Sequence, residues 1–318
     1  MSNEVRYLMI GRAGITTIKG LKSLGGFLVN ILRSDLVFLN NPSFLDFFLI
    51  YVASKIRPSL YICGFDLILK KPEGYLDGIK AFLKVIFIRS FDLILTIHKD
   101  TYYYEKVYGI KKNIFQYVPF KANNYDYAST VEIIDRGYVV ALGASQRDYV
   151  TFCEALEKTG LRGYVICSAE SAKKHNAVLP VKSYPNIIIV DEFVSRDLWT
   201  KYIAESTIVV VPILQDTYQP AGISVYLEAM LLQKPVIVTK GSSVNGILNS
   251  DLAVLVEENS VEDMANNIQW LYEDPDQRAK LAFNGHKYAV GLGNDMRLRA
   301  DIASTLSQCL DLCDERIK

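Results

Sequence analysis

Short runs of consecutive apolar residues alternate with longer stretches in which apolar positions recur at helical spacing. The runs cover residues 5–10, 36–39, 60–63, 92–97, 114–118, 138–142, 163–167, 186–190, 208–211, 236–239 and 252–255. Runs that do not alternate with polar residues suit parallel strands covered on both faces. The helical patterns between most of them predict repeated β–α–β units and a doubly wound α/β architecture. The polar segment 121–136, with Ala122-Asn123-Asn124, breaks this rhythm and is read as an interdomain linker. The expected organisation is an N-terminal domain over 1–125, a second domain over 137–295 and a C-terminal amphipathic helix over 296–318.

One helical stretch is unusual. Residues 75–91 interleave Tyr75, Leu76, Ile79, Phe82, Leu83, Val85, Ile86, Phe87, Ile88 and Phe91 with Lys80, Lys84 and Arg89, and Lys70 and Lys71 stand just before them. An apolar face with a basic edge suits either packing on the domain's core or lying in a lipid interface, its lysines near anionic headgroups.

Composition narrows the function classes. At 318 residues, half of them hydrophobic, the chain suits two cores better than one. Lys plus Arg and Asp plus Glu number 35 each, so the net charge is zero. General nucleic-acid binding needs a basic surface, and none is expected. The cysteines Cys63, Cys153, Cys167, Cys309 and Cys313 are odd in number and irregular in spacing. They read as free thiols in a reducing compartment. Asn3, Glu4 and Arg6 precede only a short apolar run, unlike a secretory leader. No stretch approaches the roughly 20 apolar residues of a membrane span. The expected location is the cytoplasm, possible contact with the inner face of the membrane included.

Residues 209–239 carry the main chemical signal. They read as a strand, a polar loop with Pro220 and Gly222, a helix and a second strand. Gly222 permits close approach of the backbone to a ligand. The free N–H groups and positive dipole end of the following helix suit a diphosphate. Glu228 stands among Val225, Tyr226, Leu227, Ala229, Met230 and Leu231. A carboxylate there either faces solvent or binds something.

Leu227-Glu228-Ala229-Met230 followed by Gln233-Lys234-Pro235-Val236-Ile237 resembles the donor site of the family-four, group 1 glycosyltransferases. The resemblance implies a GT-B fold, two Rossmann-like domains facing a cleft, and retaining, metal-independent transfer from a nucleotide-diphosphate sugar. It implies that Glu228 binds the donor ribose and that the amides around Gly222, Ile223 and Ser224 hold the diphosphate. The family's first Glu falls near Gln219, with eight intervening residues instead of seven, and strict spacing lands on Pro220. Residues 138–155 are similar to the opening strand, turn and helix of the family's second domain, with Gly143 in the turn. Ala144 replaces the family's Arg, which leaves Arg147 as the cation of that turn. Residues 190–198 resemble the loop lining the base pocket, which implies Glu192, Phe193 and Val194 as base contacts. Residues 261–285 and 91–119 are also similar to family segments, whereas 1–90 match in rhythm alone.

Retaining transfer demands stabilisation of a departing diphosphate, by cations and helix-start N–H groups aimed at the developing charge. Arg147 is the first candidate, and Lys240, after the strand 236–239, is the second; each also reads as a surface charge. Gln219 is the candidate at the sugar. Arg12 in Gly11-Arg12-Ala13-Gly14, Asp66 and His98 follow strands of the first domain and are acceptor-side candidates, His98 equally suiting a structural role. No cofactor is expected, and no His/Cys ligand cluster suggests a metal. Membership of this family implies a glycan or lipid-linked acceptor in surface-polysaccharide or glycoconjugate synthesis. The alternatives are a GT-B-like binding subunit without catalysis and a nucleotide-sugar epimerase.

Overall fold

A computed structural model describes residues 7–11, 24–40, 42–67, 74–215, 217 and 220–317. The chain divides into two compact units, one of residues 1–118 with 300–318, the other of residues 119–299.

The first unit contains a parallel sheet of β1 (Tyr7–Gly11), β2 (Leu36–Asn40), β3 (Tyr61–Phe65), β4 (Leu93–Thr96) and β5 (Phe115–Tyr117). The strands lie side by side in chain order. Every residue of β3 and β4 is buried, as their unbroken apolar runs require. The connecting helices are α1 (Leu24–Arg33), α2 (Phe44–Ile56), α3 (Tyr75–Ile88) and α4 (Tyr102–Tyr108). A capping box starts α2: Ser43 Oγ accepts from Asp46 N at 3.2 Å, and Asp46 Oδ2 accepts from Ser43 N at 2.7 Å. In α4, Tyr103 and Tyr104 turn inward and Tyr102 outward.

The second unit opens with α5 (Tyr125–Ala128) in the polar segment. Its parallel sheet contains β6 (Val139–Leu142), β7 (Gly163–Ile166), β8 (Ile187–Val190), β9 (Ile208–Val211), β10 (Val236–Thr239) and β11 (Val254–Val256). The order is β11-β10-β9-β6-β7-β8, a doubly wound sheet. Chain order therefore reverses between β6 and β9. Loops leaving the carboxyl ends of those two strands diverge, and a crevice forms where they part. Its helices are α6 (Tyr149–Thr159), α7 (Ala169–His175), α8 (Arg196–Ala204), α9 (Ile223–Leu231), α10 (Val261–Glu273) and α11 (Pro275–Leu292). The last helix, α12 (Asp295–Ile317), begins in this unit and continues into the other. Among the described residues no helix is long and apolar enough to cross a membrane.

Candidate functional site

The reversal point between β6 and β9 is occupied by Arg147. The chain leaves β6 through Gly143, at φ +101°, where a Cβ would stand 2.8 Å from the Arg147 Nη2 atom. Only glycine leaves room for the guanidinium there. The turn is fixed to the β9 exit: Leu214 N donates to Gln146 O at 3.0 Å, and Asp148 N donates to Pro212 O at 3.2 Å. Asp148 then caps α6, its Oδ1 accepting from Thr151 N at 3.0 Å.

Held this way, Arg147 is 2% exposed. Its Nε donates to Leu142 O at 3.1 Å and its Nη1 to Ser145 O at 2.6 Å. Among the described residues no carboxylate pairs with it. Burial pulls its pKa below the usual arginine value, yet a guanidinium stays charged. The sequence pattern marked this cation but not its depth.

Gly222 closes the other side. It sits at φ +88° ahead of α9, and a Cβ there would meet Val211 Cγ1 at 2.6 Å and Arg147 Nη2 at 3.6 Å. No side chain caps α9. Val225 N and Tyr226 N both bond to Gly222 O at 3.0 Å. The N–H groups of Gly222, Ile223 and Ser224 have no acceptor among the described residues, as expected at an open helix start. The guanidinium thus lies between two glycines, beside the positive end of a helix.

Glu228 lies deeper in α9 and is 3% exposed. Its Oε1 accepts from Asn124 Nδ2 at 2.8 Å and from Thr200 Oγ1 at 3.2 Å. Its Oε2 accepts from Trp199 Nε1 at 3.3 Å. Burial raises its pKa, opposed by the bonds from Asn124, Thr200 and Trp199 and by the charge of Lys121. Glu228 is therefore not a solvent-facing helix residue. Oε2 has one donor and keeps a lone pair for another.

The other candidates are placed as follows. Lys240 is exposed and its Nζ bonds Glu257, which raises its pKa. Glu192 and Phe193 are exposed after β8, Phe193 at 93%, and Val194 is half-buried. Gln219 and Arg12 lie outside the described residues. In the first unit, Asp66 follows β3 in the left-handed region, at φ +46°, which is uncommon for a residue with a side chain. Desolvation pushes its carboxyl up to about 6. His98 follows β4, is 1% exposed, and stacks on Tyr104 at 5.6 Å between ring centroids. Neither ring nitrogen has a partner among the described residues. Burial pulls its pKa down to about 4, against the raising influence of Asp100.

Asn124, Trp199 and Thr200 were not legible as site residues. Nothing in their local sequence tells that they converge on a carboxylate. Asp274-Pro275-Asp276 is an Asp-x-Asp triplet that starts α11, where Asp274 Oδ1 accepts from Gln277 N at 2.9 Å, and among the described residues no group of three or more His, Cys, Asp or Glu side chains could hold a metal ion.

Comparison with known proteins follows the same lines. Residues 182–288 match the family profile described as Glycosyl transferases group 1. No curated protein matches the sequence. Among solved structures, Alr3699/HepE of Anabaena, in complex with UDP and glucose, superposes with a TM-score of 0.66 at 15% identity, covering 89% of this chain and 80% of that one. A glycosyltransferase from Rickettsia africae gives 0.64 at 14%, with coverages of 93% and 80%. Sucrose-phosphate synthase from Thermosynechococcus elongatus gives 0.64 at 14%, with coverages of 92% and 80%. At such identities the structural likeness establishes the fold.

Proposed function

From a chain that carries a group 1 glycosyltransferase segment over residues 182–288 on a GT-B fold, we propose that the protein transfers a sugar from a nucleotide-diphosphate sugar to an acceptor hydroxyl. The observation that carries this reading is Arg147, buried without a carboxylate partner among the described residues, between Gly143 and Gly222. A buried unpaired charge costs several kcal/mol. A diphosphate seated at the crevice supplies the missing counter-charge. The N–H groups of Gly222, Ile223 and Ser224 add donors from the helix start. As the bond to the sugar breaks, charge grows on the same phosphate oxygens, and donors already in place stabilise it without reorganising. Lys240 joins this role on exchanging Glu257 for phosphate.

The remaining donor contacts complete the proposal. Glu228 Oε2 accepts from a ribose hydroxyl. Glu192, Phe193 and Val194 border the base, the exposed Phe193 ring offering a stacking face. Gln219 meets the sugar. The similarity of residues 227–237 to the family pattern supports retention of configuration, with phosphate stabilisation and no cofactor or metal invoked. The acceptor is a glycan or lipid-linked molecule of surface-polysaccharide or glycoconjugate synthesis, with Arg12, Asp66 and His98 of the first unit as its proposed contacts. The proposed location is the cytoplasm, the inner face of the membrane included. UDP is the first probe, since HepE was crystallised with it.

The test is donor hydrolysis across a panel of nucleotide-diphosphate sugars. Slow release of nucleoside diphosphate from one of them is expected. Binding of a nucleoside diphosphate with no hydrolysis of any donor would favour a binding subunit instead, a reading to which Ala144, Pro220 and the Lys240–Glu257 pair lend weight.

A further inference from the structure

Helix α3 buries only Phe87 and Ile88; residues 75–86 contain no buried position. Tyr75, Leu76, Ile79 and Phe82 are 84%, 71%, 41% and 65% exposed. Their spacing of one, four and seven residues from Tyr75 puts them along one side of the helix. A surface helix ordinarily turns such a stripe inward. Neighbouring α2 adds exposed Phe44, Leu45 and Phe48. The rings of Phe44 and Phe48 meet Phe87 at 5.7 and 6.0 Å, which joins the two helices' apolar surfaces. A contiguous apolar surface of this kind marks an interaction site.

The charges around it choose the occupant. Lys80, Lys84 and Arg89 lie on or just after α3, and Lys55 lies on α2. Asp77 is the acid of α3, and it pairs with Lys80 at 3.4 Å. Lys55 Nζ stands 5.1 Å above the Tyr51 ring and Lys84 Nζ 5.9 Å above the Phe47 ring. The ammonium groups therefore border the apolar surface. A second copy of the chain docked on it would bring like charges together. Anionic headgroups beside acyl chains match both features. A helix of 14 residues is about 21 Å long, short of the roughly 30 Å hydrocarbon core, so it lies on a bilayer and does not span it.

We propose that α2 and α3 dock the protein on an anionic bilayer, with Tyr75, Leu76, Ile79 and Phe82 at the acyl boundary and Lys80 and Lys84 among the headgroups. The surface belongs to the first unit and the proposed nucleotide site to the second, so either proposal survives failure of the other.

The test is flotation of the full-length protein with vesicles of phosphatidylcholine, alone or mixed with phosphatidylglycerol. Binding should favour the anionic vesicles and weaken with salt. Lys80→Glu with Lys84→Glu should lower the partition coefficient at least roughly thirtyfold at low salt, from about a fivefold loss for each lysine removed from the surface. Leu76→Ser with Phe82→Ser should weaken binding at every salt concentration. Both variants should keep the wild-type melting temperature and response to UDP, because the replaced side chains are exposed or rim-lying. Wild-type protein left in the soluble fraction at low salt would overturn the proposal. So would a vesicle-free dimer that the Leu76→Ser, Phe82→Ser variant dissociates, which would assign the surface to a second copy.

Discussion

A guanidinium taken out of water has lost hydration that two carbonyl contacts only partly replace. Arg147 is in that position in the free protein, bonded to Leu142 O and Ser145 O. In the proposed function its value to the protein lies in what it binds. Arg147→Met keeps the length of the side chain and removes the charge, and such replacements of buried charges are often neutral or stabilising. The variant is expected to melt within a few degrees of wild type while losing stabilisation by nucleotide. In wild type, a nucleoside diphosphate at about 100 times its dissociation constant should add about 2.7 kcal/mol. A thermal-shift series on the two proteins checks both expectations. Unfolding of Arg147→Met without ligand would make the arginine a structural residue.

Asp66 and His98 are two further residues whose ionisation is set by burial. The folded pKa of His98 is about 4 against about 6.5 in an unfolded chain. The unfolded state therefore binds more protons between these values. Stability from the neutral imidazole is complete above about 6.5 and falls as pH drops towards 4, by about 3 kcal/mol in all. Asp66 acts in the opposite sense. Its folded pKa is about 6 against about 3.9 unfolded, so the native state takes up its proton first and gains stability as pH falls through that window. The two trends offset one another in wild type. Asp66→Asn should expose the His98 trend, giving a steeper loss of stability from pH 6.5 to 4.5 in urea titrations. Parallel pH profiles for the variant and wild type would show that the Asp66 carboxyl is not desolvated.

At the scale of elements, the strands were legible because a parallel strand buried on both faces must be apolar throughout. The unbroken run 208–211 is β9 without adjustment, and the run 236–239 is β10. The surroundings of Glu228 were not legible, since its donors stand 104, 29 and 28 residues away in sequence. The Lys240–Glu257 pair was hidden for the same reason. Periodicity showed that α3 is amphipathic, but a stripe of apolar positions does not say what covers it. Of the two expectations for that helix, packing on the core is limited to Phe87 and Ile88.

The start of α9 offers a test at this scale. Gly222→Ala places a Cβ 2.6 Å from Val211 Cγ1 at a positive φ. Steric overlap and backbone strain together should cost about 1–3 kcal/mol. Because the helix start must shift to relieve the overlap, nucleotide affinity should fall as well. Chemical denaturation measures the first effect and calorimetry the second. A variant with wild-type stability would show that the turn tolerates a side chain.

For the whole molecule, the two sheets differ in a way that bears on function. In the first unit the described strands follow chain order, and in the second the order reverses between β6 and β9. The crevice expected at a reversal belongs to the second unit, the unit that contains residues 182–288, which match the glycosyltransferase profile. The central claim is that a nucleoside diphosphate binds there and that Arg147 supplies the charge that holds it. The most direct measurement is calorimetric titration of UDP, followed by the other nucleoside diphosphates, into wild-type protein and Arg147→Met at matched salt. Wild-type protein should bind at least one of them, and Arg147→Met should bind it at least roughly thirtyfold more weakly, as befits the loss of a buried charge partner, with its fold intact. Equal affinity in the two proteins, or no binding of any nucleoside diphosphate to wild type, would contradict the claim.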